Sequence, residues 1–242
     1  MQKTVPDSEK QRAEEILSIF RETLPIRDED FAASRVAKES HDPFRVLIVT
    51  ILSQNCTDIA ALRAYYELEK EVGVTVSSLS KTRIQTIKKT IRTAGLYKQK
   101  AKAIKQLSQQ IVATRSGNLE DILNGPFEEV RARLQDLPNV GPKTADVLLS
   151  ILGQPTISVD THVYRVSKRL GFAREKANHE EVRSNLMQLF RPKEYRVVPL
   201  YFMTLGRKVC KASRPLCPTC PVNELCPYPE KTKSLTASKR TI

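Results

Sequence analysis

Apolar residues recur along this chain at spacings of three and four, and most of the runs are punctuated by glycine or proline. Ile16, Ile19, Phe20 and Leu24 form a first helical stripe, with Ser8 and Gln11 placed as a capping box ahead of it. Asp42-Pro43 reads as an N-cap and first helical residue before the run FRVLIVTIL. Ile84, Ile87 and Ile91 share one face that ends at Gly95, and Ala101, Ile104, Leu107 and Ile111 repeat the spacing up to Gly117. Pro126 opens a helix bearing Val130, Leu134 and Leu137, and Pro142 opens another that Gly153 stops. Val163, Val166 and Leu170 end at Gly171, and Val182, Leu186 and Leu189 mark one more helix. No run alternates strictly and no fixed period repeats, so the pattern predicts an all-α fold. The end of the chain, EKTKSLTASKRTI, lacks apolar periodicity, and residues 229–242 read as a loose basic tail.

Charge narrows the partner. The 242 residues carry 40 lysines and arginines against 27 acids, a net +13 spread along the chain. Such a balance favours a polyanion, nucleic acid or an anionic membrane surface, over a merely solvated exterior. The longest apolar run, VLIVTIL, is far short of the ~20 residues of a bilayer span, so no membrane role is expected. The start, MQKTVPDSEKQRAEEIL, has no apolar signal core. Five cysteines, an odd number, argue against a disulfide framework.

The stretch LPNVGPKTADVLL, residues 137–149, joins two apolar-faced helices through about five residues, a helix–hairpin–helix. Its turn sets the amides of Val140 and Gly141 at a helix N-terminus, where free N–H groups and the helix dipole favour phosphate. Asn139 tolerates a left-handed turn position, and Pro142 suits the first helical place. An ordinary tight connection would look the same. Lys143 is less ordinary, because a helix N-terminus repels an ammonium ion. That repulsion favours a neutral amine able to attack carbon; the competing reading is a lysine that reaches a DNA phosphate. In VDTHVYRV, Asp160 or Thr161 starts a helix. Asp160 reads either as a plain cap or as a carboxylate that takes a proton and stabilises positive charge. His162 reads as structural or phosphate-contacting.

Cys210, Cys217, Cys220 and Cys226 form C-x6-C-x2-C-x5-C, four thiolates in so short a span that a metal site is expected. By softness and bite, zinc and iron–sulfur fit equally well. Cys56 stands apart and reads as a small core or pocket-edge residue.

Taken together, LPNVGPKTADVLLSIL and PTISVDTHVYRVSKRLGF resemble the helix–hairpin–helix, Gly/Pro, Asp signature of the endonuclease III family of DNA glycosylases. The resemblance runs from residue 8 to 228 by motif order. It implies two helical lobes: a barrel over 37–153, and a second lobe from 1–36 plus 154–228 holding a cluster loop. It implies a bifunctional glycosylase/AP lyase of base excision repair that acts on oxidised pyrimidines in duplex DNA. Lys143 is then the nucleophile that forms a Schiff base and cuts 3′ to the lesion, and Asp160 assists it. The cysteine spacing matches the family's 4Fe–4S loop at every interval, with Lys211 and Arg214 facing the DNA backbone. LSQNCTD, residues 52–58, resembles the family's gap-filling segment, with Asn55 at the matching position, where many relatives have Gln, and Gln54 beside it. TAGLYKQKA resembles its intercalating turn, with Leu96 as the wedge and Arg92, Lys98, Lys100, Lys102 and Lys105 as a phosphate track. A monomer is expected, cytoplasmic if prokaryotic, with a nuclear or organellar setting left open. The competing readings are a T/U–G mismatch glycosylase of the same superfamily and a non-catalytic DNA-binding protein with a structural metal.

Overall fold

A computed structural model describes residues 5–114 and 117–233. The basic tail expected from 229 therefore lies mostly outside the described residues. The regular elements among those described are all helices, without strands. In chain order the helices are α1 (Asp7–Thr23), α2 (Ala32–Ser40), α3 (Pro43–Ser53), α4 (Asp58–Glu71), α5 (Val76–Lys81), α6 (Ile84–Thr90) and α7 (Tyr97–Val112). There follow α8 (Glu120–Leu123), α9 (Phe127–Gln135), α10 (Pro142–Ile151), α11 (Thr161–Arg169), α12 (His179–Leu189) and α13 (Val198–Lys208). None is long and apolar enough to cross a membrane.

The chain divides into two compact units: Arg27–Gln154, and the flanking parts up to Ile26 and from Pro155. In the first, α3 is the central helix. Asp42 caps it, accepting from the Phe44 amide at 2.8 Å, and Pro43 takes its first position, as the sequence predicts. Every residue from Val46 to Leu52 is buried, so α3 shows no polar face. Helices α2, α4, α7 and α10 pack around it. The boundary expected at 37 falls inside α2; the whole helix joins this unit because Ala32 and Val36 are buried in the same core as α3.

The flanking unit gathers α1 and α11–α13 around Phe20, Phe172, Phe190 and Phe202, whose rings meet edge-on or stacked at 5.9–6.2 Å. α1 contributes Ala13, Ile16, Leu17 and Phe20, one helical stripe. Its start differs from expectation: Pro6 is the N-cap, and no Ser8–Gln11 box forms, because the helix begins before Ser8. Arg12 of α1 donates to the carbonyls of Leu170 at 2.8 Å and Leu225 at 3.2 Å, and its guanidinium lies 4.8 Å from the Phe172 ring centre. The N-terminal helix is thereby tied to the cysteine-bearing segment. Part of the expected tail is also anchored there: Thr232 Oγ1 bonds the Pro215 carbonyl and accepts from the Cys217 amide at 3.2 Å.

Candidate functional site

Helices α9 and α10 form the hairpin, and a buried ion pair holds them together. Arg131 Nε and Nη2 reach the two Asp146 oxygens at 2.8 and 2.9 Å, the bidentate geometry of strong charge-assisted bonds. Between the helices Asn139 takes the left-handed conformation, φ 64°, that its residue type tolerates. Val140 departs from expectation. Its side chain is buried and its amide donates to the Leu137 carbonyl at 3.1 Å, so that amide is already taken. The donors left open are the amides of Gly141, Lys143 and Thr144, which make no hydrogen bond among the described residues. Gly141 has an unstrained φ of −87°, and a Cβ there would meet nothing within 4 Å. The fold itself does not require glycine at this place; a side chain would obstruct only an approach from outside. Lys143 follows on the second position of α10, half-buried, on a helix packed against α3.

Two further turns in the same unit carry predicted site residues. In the first, Thr57 caps α4 by accepting from the Ala60 amide at 3.2 Å, while Asn55 is exposed with φ 53°. Gln54 is turned onto the hairpin. Its Nε2 donates to the Asn139 carbonyl at 3.2 Å and Thr144 Oγ1 at 3.3 Å, and its Oε1 accepts from Asn139 Nδ2 at 2.8 Å. Cys56 donates to the Leu52 carbonyl at 3.0 Å, and burial pushes its thiol pKa up, so it is no ready nucleophile. In the second turn Leu96 is 51% exposed with φ 43°. A bulky L-residue held in that region costs about 1–2 kcal/mol.

The basic track around Leu96 is thinner than expected. Arg92, Lys98 and Lys102 are exposed. Lys100 is 2% exposed and donates to the carbonyls of Leu52 and Ala94, both at 2.7 Å. Lys105 is spent on the Ser80 and Thr82 carbonyls at 2.5 and 2.7 Å. A lysine on a basic stretch looks alike in sequence whether it faces water or caps a helix end.

In the flanking unit Asp160, not Thr161, caps α11. Its Oδ1 accepts from the amides of His162 at 2.9 Å and Val163 at 2.7 Å, leaving Oδ2 without a hydrogen bond among the described residues. The cap reading and the catalytic reading are thus compatible, one oxygen for each. His162 lies 3.1 Å from Arg165 Nη2 through its Nδ1, and burial pushes its pKa down.

The four cysteines Cys210, Cys217, Cys220 and Cys226 line one small pocket with Arg169, Leu205 and Val209. No three histidine, cysteine or acidic side chains among the described residues converge on a point that would hold an ion. Burial, reinforced by the neighbouring thiols, pushes Cys220 up to about 11 and Cys226 in the same direction. Any metal group seated here must displace protons on binding. Arg169 braces the first arm, donating to Cys210 Sγ at 3.4 Å and to the carbonyls of Lys211 and Ala212 at 2.7 and 3.0 Å. Lys211 and Arg214 are exposed on that arm. Sequence reasoning missed Gln54, Lys100, Arg169 and the Arg131–Asp146 pair as supports; an acid inside the apolar run of α10 was the one local sign of the last.

Comparison with known proteins places these features in company. Residues 48–192 match the model of the HhH-GPD superfamily of base excision DNA repair proteins. The chain is 36% identical over 219 residues to endonuclease III of Escherichia coli, covering 90% of this chain and 95% of that one. It is also similar to a trapped endonuclease III–DNA covalent intermediate, with a TM-score of 0.68 and 32% identity, over 84% of this chain and 97% of that one. A thermostable thymine-DNA glycosylase shares the fold at a TM-score of 0.74 and 24% identity, over 92% of this chain and 98% of the other.

Proposed function

The chain belongs to the endonuclease III family of base excision repair DNA glycosylases/AP lyases, and on that premise we propose that it removes oxidised pyrimidines from duplex DNA with Lys143 as nucleophile and Asp160 as its acid–base partner. The observation that carries this reading is the start of α10: open amides at Gly141, Lys143 and Thr144, an unobstructed glycine, and a lysine within the same turn. The amides and helix dipole suit a backbone phosphate, which would set the neighbouring sugar within reach of the amine.

The chemistry balances without an external oxidant or reductant. A base must first leave the stack. The Lys143 nitrogen bonds C1′ as the N-glycosidic bond breaks, and the departing base takes a proton from water. The Asp160 oxygen that is not engaged in capping takes the proton shed by the amine and opposes the positive charge developing on the sugar. The proton held by Asp160 passes to the ring oxygen as the C1′–O4′ bond breaks, and the nitrogen lone pair forms the Schiff base. Loss of a C2′ proton then expels the 3′ phosphate, and water frees the lysine.

The four cysteines fit a 4Fe–4S cluster. They supply four soft thiol donors that line one pocket, the donor set such a cluster takes. Cys210, Cys217, Cys220 and Cys226 would hold it, and its contribution is to fix the loop that carries Lys211 and Arg214. Iron content and visible absorbance of the purified protein test this; colourless protein with one zinc per chain would refute it.

Borohydride reduction on abasic-site duplex tests the nucleophile. Wild-type protein is expected to be trapped covalently and Lys143→Ala not at all. Asp160→Asn should lower base excision by about 10²–10⁴-fold. Equal trapping by Lys143→Ala would remove the nucleophile, and full excision by Asp160→Asn would remove its partner. The substrate class is read from duplexes bearing thymine glycol, uracil or T opposite G, and 8-oxoguanine. Thymine glycol should be preferred, and preference for T or U opposite G would replace this reading with the mismatch one.

A further inference from the structure

Among the described residues of the Arg27–Gln154 unit, four non-glycine residues hold left-handed backbone: His41, where α2 ends, and Asn55, Leu96 and Asn139, with φ of 53°, 53°, 43° and 64°. Such conformations persist only where surrounding structure enforces them, and they gather at functional sites. Two side chains supply that enforcement around Asn55, Leu96 and Asn139. Lys100, 2% exposed, reaches the last turn of α3 and the end of the short 3-10 turn Arg92–Ala94 together, through 2.7 Å bonds to the Leu52 and Ala94 carbonyls. Its third N–H points to Cys56 Sγ at 3.8 Å, so every donor of the ammonium has a neighbour. Both carbonyls lie at helix ends, where acceptors lack intrahelical partners and the dipole favours a cation. Burial lowers the Lys100 pKa, an opposing cost that the two charge-assisted bonds offset. Gln54 fastens the other side, exchanging bonds with Asn139 at 2.8 and 3.2 Å and reaching Thr144 at 3.3 Å.

We propose that Lys100 and Gln54 are positioning residues: they fasten the Leu52–Cys56 segment to the Leu96 turn on one side and to the hairpin on the other, so that Asn55, Leu96 and Gly141 meet the duplex as one preset surface. The proposal rests on the glycosylase/lyase reading. It gives Lys100 no phosphate to bind and Gln54 no orphan base, and it locates the preorganisation for base extrusion in two bonds sets that cross 48 and 85 residues of sequence. Were Lys100 only a filler of the core, an apolar residue would serve better, since a methionine would bury without a charge. What the methionine could not do is join two turns that belong to different helices.

The test uses the full chain with Lys100→Met, Lys100→Arg, Gln54→Ala and the Lys100→Met/Gln54→Ala double variant. Two duplexes are compared, one with thymine glycol and one with an abasic site at the same place, with 2-aminopurine beside each. Misplaced turns should slow single-turnover excision of the base by about tenfold or more and delay the 2-aminopurine signal. Borohydride trapping at the abasic site should stay within about threefold, because no base remains to be extruded there. Lys100→Arg, which keeps the donors, should recover part of the excision rate. The double variant should lose less than the product of the single losses, since both changes release one segment. Unchanged excision, or equal losses in excision and trapping, or losses that multiply, would overturn the proposal. If Lys100→Met fails to fold, Gln54→Ala, which strands no buried charge, carries the same expectation and the same refutation. Wild-type protein that is not trapped at all would instead sink the glycosylase/lyase reading.

Discussion

Leu96 shows at the scale of one residue what the site asks of the fold. Its side chain is 51% exposed and its backbone stands at φ 43°, ψ 26°, so it contributes little packing and carries conformational strain. Leu96→Gly should therefore raise the urea midpoint, corresponding to a gain of about 1 kcal/mol as the left-handed penalty is lifted. Excision of thymine glycol should fall at the same time, because the wedge is gone. A variant that is both less stable and fully active would show that Leu96 is a packing residue. Residues whose meaning is local could be read from the sequence: Asn139 at its left-handed turn, Pro142 at its first helical position, Asp160 two and three residues from the amides it caps. Gln54 and Lys100 could not, because their partners lie 85 and 48 positions away and only the folded chain brings them near. Val140 failed for a related reason: the sequence shows an amide in a turn, but not that the Leu137 carbonyl has already taken it.

At the scale of elements, punctuation by proline and glycine made the α9–α10 hairpin legible. The helices that escaped notice lack contrast. α4 builds its buried stripe from Ala61, Leu62, Ala64, Tyr65 and Leu68, and α13 is buried over most of its length, which removes the polar half of the pattern. The hairpin's strength is likewise hidden in the Arg131–Asp146 pair, whose side chains are only 10% and 3% exposed. Removing one partner strands the other charge in the core, so Asp146→Ala should cost about 3–5 kcal/mol in chemical unfolding. Replacing both by apolar residues of similar volume, Arg131→Met with Asp146→Leu, should recover most of that loss. If the double replacement is as unstable as Asp146→Ala, the pair supplies a specific geometry that packing cannot replace. α10, which carries Lys143, would then depend on that ion pair for its position.

At the scale of the whole molecule, the net charge of +13 is a statement about affinity that only the structure can apportion. Counting the basic stretch around Leu96 from sequence gives five candidate phosphate contacts. The folded chain leaves Arg92, Lys98 and Lys102 exposed, while Lys100 and Lys105 are spent on backbone carbonyls. Charge that is used internally releases no counterions from DNA, so the two classes separate in a salt titration. Each lost phosphate contact should reduce the slope of log affinity against log salt by about 0.9. Lys98→Ala and Lys102→Ala should each show a reduction of that order at unchanged stability. Lys105→Ala should leave the slope alone and lower the unfolding midpoint, because the Ser80 and Thr82 carbonyls lose their donor. The opposite pattern, a shallower slope for Lys105→Ala and none for the exposed pair, would mean that α7 meets DNA through a different face and that the wedge assigned to Leu96 points away from the duplex.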